Sequence, residues 1–320
     1  LAVNRAGMST SARFSAYNFV SKQRRIKTSM LTYDDLIERY TFWAESTPDV
    51  RAALILGSRA RTDHPADEWS DLDLLVFCRD PQRFIQSSEW ATSIAPAWLS
   101  FIERTGDGSS WERRTLYAGG LDVDVALNPV AWLEAMLEQD LSPEVADILR
   151  RGVRVLVDKD GLCARLQQKP LPETSLMPKP SEAEFLNATA DFWYHTLWSA
   201  KHLCRGELWW AKGGVDIHMK GLLQHMLEWH AHAHQGAQYD TWLRGRFLEQ
   251  WADSRAVAHL RYTFAHYEAD DIAHALIATM GLYRWLEDET ALAWGYSVPV
   301  EGERQAQELA RALLSPYGAY

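Results

Sequence analysis

The chain is short of the features that mark several large protein classes. Its 320 residues include three cysteines, Cys78, Cys163 and Cys204, which are far apart, odd in number and without CxxC spacing. Neither a disulfide framework nor a thiolate zinc site is expected, and such cysteine usage suits a reducing cytoplasm. No run of about 18 uncharged apolar residues occurs, so neither a membrane span nor a membrane partner is expected. GxxxxGK[ST] and GxGxxG are both missing, which removes Walker-type ATPases, protein kinases and Rossmann dehydrogenases. Basic charge is scarce as well. Residues 1–29 carry six of the 33 Lys and Arg and no acidic residue; beyond them 27 basic residues face 43 acidic ones, a balance of about −16. Such a field repels phosphate backbones and attracts cations, so no nucleic-acid partner is expected. The basic stretch lacks the apolar core of a signal peptide and reads as an extension or tag ahead of Met30.

What remains is an ordinary globular composition, 47% hydrophobic and 24% charged, long enough for two domains. Behind Thr32, apolar residues Leu36, Ile37, Tyr40, Trp43 and Ala44 recur at helical spacing until Pro48. Short apolar runs at 51–56, 72–77 and 121–127 read as strands, 81–98 as loop-rich or helical, and 131–149 as a helix. This predicts an α/β domain with a mixed sheet over residues 30–166. Four prolines between Gln167 and Pro180 mark a linker. From Ser181, which with Glu184 forms a capping-box signature, periodic segments extend through Trp210 and then over 215–234, 239–251, 255–266 and 270–289. The second domain, 181–320, is therefore expected to be all helical, with the active site in the cleft between the two.

The chemistry concentrates in three places. Gly57-Ser58-Arg59 follows the first strand, Asp71-Leu72-Asp73 opens the second, and Asp122-Val123-Asp124 opens the third. In a strand, alternate side chains share a face, so each aspartate pair points one way and its apolar neighbours the other. If the strands are adjacent, three or four carboxylates converge. At ~4 Å and an effective dielectric of about 20, each like-charge pair costs on the order of 4 kcal/mol, so the cluster calls for a cation. Oxygen-only ligands select a hard divalent ion, Mg²⁺ above all, held together with substrate phosphates. A glycine turn lets backbone approach a phosphate, Ser58 adds an N–H and a hydroxyl, and Arg59 a fork of donors. Together these point to nucleoside triphosphate chemistry assisted by two metal ions.

The order Gly-Ser, Asp-x-Asp and later strand Asp resembles the nucleotidyltransferase superfamily related to DNA polymerase beta. Within it, GSRAR at 57–61, SDLDLLVF at 70–77, DVDVAL at 122–127 and the helical segment 184–216 resemble the aminoglycoside 6-adenylyltransferases, also called streptomycin adenylyltransferases. The resemblance implies that Gly57 and Ser58 grip the triphosphate of ATP and that Asp71, Asp73 and Asp124 are the magnesium-binding catalytic carboxylates. Asp122 is the alternative to Asp124. The implied reaction moves AMP from ATP to a drug hydroxyl and releases pyrophosphate. Arg61 and Asp122 stand where the family usually has Asn and Arg, which leaves another small molecule or a protein side chain as the alternative acceptor.

An aminoglycoside is a small polycation, and its pocket should offer carboxylates and aromatic faces. Glu207, Asp216 and Trp210 in the family-like helical segment are the expected acceptor-binding residues. The proton of the attacked hydroxyl would pass to Asp124 or to a carboxylate of the helical half. His230, His232 and His234 lack the HExxH arrangement and any nearby thiolate, and read as a solvated helix end.

Overall fold

The structure, a computed structural model, describes residues 30–61, 63–106, 108–172, 178–298 and 300–319. The expected extension at 1–29 and linker residues 173–177 lie outside the described residues. By packing, the chain divides into two compact units, one containing the residues up to Asp140 together with Ile148–Lys169, the other Leu141–Asp147 together with Pro170 onward.

In the first unit, Thr32 caps helix α1 (Tyr33–Ser46). Its hydroxyl accepts from the Asp35 N–H at 3.2 Å while the Asp35 carboxylate accepts from the Thr32 N–H at 2.9 Å, an arrangement worth about 1 kcal/mol. The three expected strands are present as β1 (Val50–Leu56), β2 (Leu72–Cys78) and β5 (Leu121–Pro129). Between β2 and β5 come helices α2 (Pro81–Gln86) and α3 (Glu89–Ile94) and two further strands, β3 (Ala97–Arg104) and β4 (Trp111–Tyr117). The expected 131–149 helix is two helices, α4 (Val130–Glu138) and α5 (Pro143–Arg151, of which the part up to Asp147 is counted with the second unit), because Pro143 lacks an N–H and restricts the residue before it. Strand β6 (Arg154–Asp158) and helix α6 (Leu162–Gln167) complete the unit.

The six strands form one mixed sheet in the order β3-β4-β5-β2-β1-β6. β2 and β5 are parallel, and the other neighbouring pairs are antiparallel. Leu72, Leu74 and Val76 of β2, Val123, Val125 and Leu127 of β5, and Leu36, Ile37, Tyr40 and Ala44 of α1 belong to one buried core. That core fixes which face of β2 and β5 is left for their polar side chains.

The described part of the second unit from Pro178 onward contains helices and no strand. Ser181 and Glu184 make the expected capping box at the start of α7 (Glu182–Cys204). Helix α8 (Leu208–Gly213) leads through a π-helical turn (Gly214–His218) into α9 (Met219–Gln235). The expected 239–251 helix shrinks to a 3₁₀ turn at Leu243–Gly245 and the four-residue α10 (Leu248–Trp251). Trp242, Arg244 and Phe247 have positive φ there, which an α-helix does not admit. Helix α11 (Ser254–Leu260) stops six residues short of His266. α12 (Ala269–Trp294) and α13 (Val300–Leu314) follow. The rings of Phe192 and Tyr283 stack at 3.6 Å where α7 meets α12. No helix among the described residues is long and apolar enough to cross a membrane.

Candidate active site

β2 and β5 lie side by side with Asp73 directly opposite Asp124. The residues flanking each aspartate, Leu72, Leu74, Val123 and Val125, are buried in the core, so the aspartates occupy the other face. Asp71, Asp73 and Asp124 each offer a carboxylate oxygen within 4.8 Å of the other two. Asp122 is exposed and accepts a hydrogen bond from the Tyr33 hydroxyl at 2.9 Å, outside that triad.

The neighbouring strand β4 sets Arg114 opposite Asp124. Arg114 Nη2 lies 3.4 Å from Asp124 Oδ2 and 2.8 Å from Glu112 Oε1, and its Nε is 2.5 Å from Glu103 Oε1. One guanidinium thus serves several carboxylates. Burial, reinforced by the charges of Asp71, Asp124 and Glu112 and opposed by Arg114, pushes the Asp73 carboxyl up to about 7. Burial likewise pushes Asp124 up to about 6, with Arg114 opposing. These groups resist losing their protons together, and a hard cation would relieve that resistance. A set of carboxylate oxygens alone fits Mg²⁺ better than any softer ion.

The turn after β1 passes directly over these carboxylates. Gly57 has φ +65°, and a Cβ on it would run into Asp73 Oδ2. Only glycine takes this conformation at low cost, and only glycine leaves room for the carboxylate. The Gly57 carbonyl accepts from the N–H groups of Ala60 and Arg61 at 3.1 and 3.2 Å, and the Ser58 carbonyl from Ala66 at 2.9 Å. Arg59 donates from Nε to the Asp71 carbonyl at 2.8 Å and from Nη2 to the Ser70 carbonyl at 2.7 Å. Its guanidinium carbon sits 3.5 Å above the Tyr33 ring. Two of its three nitrogens therefore anchor the approach to β2, by way of Nε and Nη2. Arg61 pairs with Asp63, holding that carboxyl well below the usual range.

The acceptor residues expected from the sequence all lie in the second unit. Trp210 on α8 is 58% exposed, which removes it from the core. Glu207 immediately precedes α8; it pairs with His202 and accepts from Arg205 Nε at 2.8 Å, and the His202 bond holds its carboxyl below the usual range. Asp216 sits in the π-helical turn, where Oδ2 pairs with Lys212 while Oδ1 is buried with no hydrogen-bond partner.

Arg114, Glu112 and Tyr33 escaped sequence reasoning. Glu112 and Arg114 share the i, i+2 phase that exposed the aspartates, but the run WERRTLY is too charged to read as a strand. Tyr33 is joined to Asp122 only through the fold.

A family model for streptomycin adenylyltransferase matches residues 30–312. The chain belongs to that family. It is a nucleotidyltransferase. Among its relatives, the aminoglycoside 6-adenylyltransferase of Campylobacter jejuni is 24% identical over 276 residues, covering 82% of this chain and 89% of that protein. The enzyme of the same name from Bacillus subtilis (strain 168) is 19% identical, over 84% of this chain and 94% of its own, and that from Staphylococcus aureus 22%, over 73% and 82%. The crystal structure of an aminoglycoside 6-adenyltransferase from Bacillus subtilis aligns with a TM-score of 0.42 at 16% identity, over 88% of this chain and 96% of that one. In this streptomycin adenylyltransferase family member, GSRAR, SDLDLLVF and DVDVAL all fall within the matched range.

Proposed function

We propose that this family member transfers AMP from ATP to a hydroxyl of a streptomycin-like aminoglycoside and releases pyrophosphate. The observation that carries the reading is the parallel register of Asp73 against Asp124, with Asp71 beside them and the Gly57 turn overhead. Asp71, Asp73 and Asp124 would hold Mg²⁺, which when bound supplies positive charge for the phosphate oxygens.

The chain's own groups do the rest. The Ser58 N–H and hydroxyl, and the Arg59 Nη1, are the donors offered to the triphosphate. In the transfer, the acceptor oxygen forms a bond to the α-phosphorus, the bond from that phosphorus to the bridging oxygen breaks, and pyrophosphate leaves with those electrons. The hydroxyl proton passes to a carboxylate oxygen within about 3 Å, for which Asp124 is our assignment. The acceptor's cationic groups are taken by the Trp210 face and by Glu207 and Asp216, exchanging with the protein cations now paired to them.

The test is incubation with α-labelled ATP, Mg²⁺ and streptomycin. Label in the drug with stoichiometric pyrophosphate supports the proposal; an intact protein that yields neither across a panel of aminoglycosides contradicts it.

A further inference from the structure

Of the three histidines at the end of α9, His230 and His232 are buried rather than solvated as the sequence suggests, and His234 is exposed. His232 is turned away and bonds the Tyr239 carbonyl at 2.9 Å, and His230 is only 4% exposed. The reason is α12, which packs along α9 and brings Glu289 to them. His230 and His234, one turn apart on one face, both direct Nε2 at Glu289 Oε2, at 2.9 and 3.9 Å. The two imidazole rings are 4.4 Å apart.

We propose that His230, His234 and Glu289 form a binding site for a divalent transition ion of the zinc class, distinct from the aspartate site and pinning α9 to α12. All three ligand atoms lie within 4.8 Å of one another. Ligands around a tetrahedral zinc with bonds of 2.0–2.2 Å are about 3.4 Å apart, and the two Nε2–Oε2 distances bracket that value. A hydrogen bond accounts for His230 and Glu289. It does not account for His234, which is beyond hydrogen-bonding reach yet directed at the same oxygen. Two imidazoles and one carboxylate suit zinc and its neighbours and suit Mg²⁺ poorly. The carboxylate is also oriented from behind: Trp285 Nε1 donates to Glu289 Oε1 at 2.7 Å, leaving Oε2 for the histidines. The His234 and Glu289 side chains are 44% and 42% exposed, so an ion can enter and a water can complete its coordination.

The test is zinc binding by the full chain without a histidine tag, stripped with chelator and titrated against a chromogenic chelator in excess Mg²⁺. His234→Ala and the isosteric Glu289→Gln should each remove one bound zinc or weaken it at least tenfold, and Trp285→Phe should weaken it about tenfold. Cobalt should give visible d–d bands that His234→Ala abolishes. A second group, Asp191, His195 and His218, provides the control: His195→Ala should leave this ion in place. Wild-type zinc affinity in both His234→Ala and Glu289→Gln overturns the proposal, as does zinc binding lost in His195→Ala instead, or no zinc binding at all.

Discussion

Asp73 and Asp124 face each other across two parallel strands, 51 residues apart in the chain and neighbours in the sheet. Neither has an opposite charge of its own, since Arg114 is shared with Glu112 and Glu103. Such a pair costs stability and is kept where its charge is used. Asp73→Asn should therefore raise the stability of the ion-free protein by about 1–2 kcal/mol in denaturant unfolding at neutral pH. The same change should lower adenylyl transfer by about a thousandfold or more, the several kcal/mol a metal-ion site contributes. A variant that is both less stable and fully active would contradict both expectations.

The third carboxylate can be assigned by a matched pair of variants. Asp124→Asn should match Asp73→Asn in lost transfer. Asp122→Asn, which removes the charge but keeps an Oδ1 acceptor for the Tyr33 hydroxyl, should change stability by less than about 1 kcal/mol and leave transfer within a few-fold of wild type. Reversal of the two kinetic results would move the site to Asp122.

Gly57 has both a positive φ and a close neighbour. Gly57→Ala should cost about 1–2 kcal/mol of stability and displace Asp73, with transfer falling at least tenfold. Gly161 has φ +70° with open space around it, so Gly161→Ala should show the strain alone, about 1 kcal/mol, with unchanged kinetics. Equal kinetic effects of the two substitutions would detach Gly57 from the site.

These residues show how far sequence could reach. The aspartates were legible because strand alternation ties them to leucines and valines that must be buried, so a period of two carries the chemistry with it. Strand β3 was not legible: Trp98, Leu99 and Phe101 are exposed there, and no alternation marks a core face. β4 hid behind Glu112, Arg113 and Arg114, whose charges are accommodated only because Arg113 reaches the Ile85 carbonyl and Arg114 the carboxylates. Tyr239–Trp251 misled in the opposite direction, since helical spacing of aromatics says nothing about the positive φ values that break the helix. Glu289 could be matched to His230 only once α12 was seen to pack on α9.

Lys220 on α9 offers a test by pH. Its ammonium donates to Thr279 Oγ1 at 3.0 Å and the Val215 carbonyl at 3.1 Å, and burial pushes its pKa from 10.5 down to about 8. Between those two values the unfolded chain holds the proton that the folded one has lost, so this residue makes stability rise with pH. The gain should be about 1–2 kcal/mol between pH 8 and 10.5, discounted for partial solvent access. Denaturant unfolding of wild type and Lys220→Met at both ends of that range measures it as the difference in slope; identical slopes would contradict the burial assigned to this lysine.

The most direct measurement is anomalous diffraction from crystals containing Mn²⁺ and a non-hydrolysable ATP analogue. Manganese should sit within bonding distance of oxygens from Asp71, Asp73 and Asp124, with the analogue's phosphates against the backbone at Gly57 and Ser58. Manganese bound by other residues, or phosphates lying away from that turn, would contradict the assignment of this site.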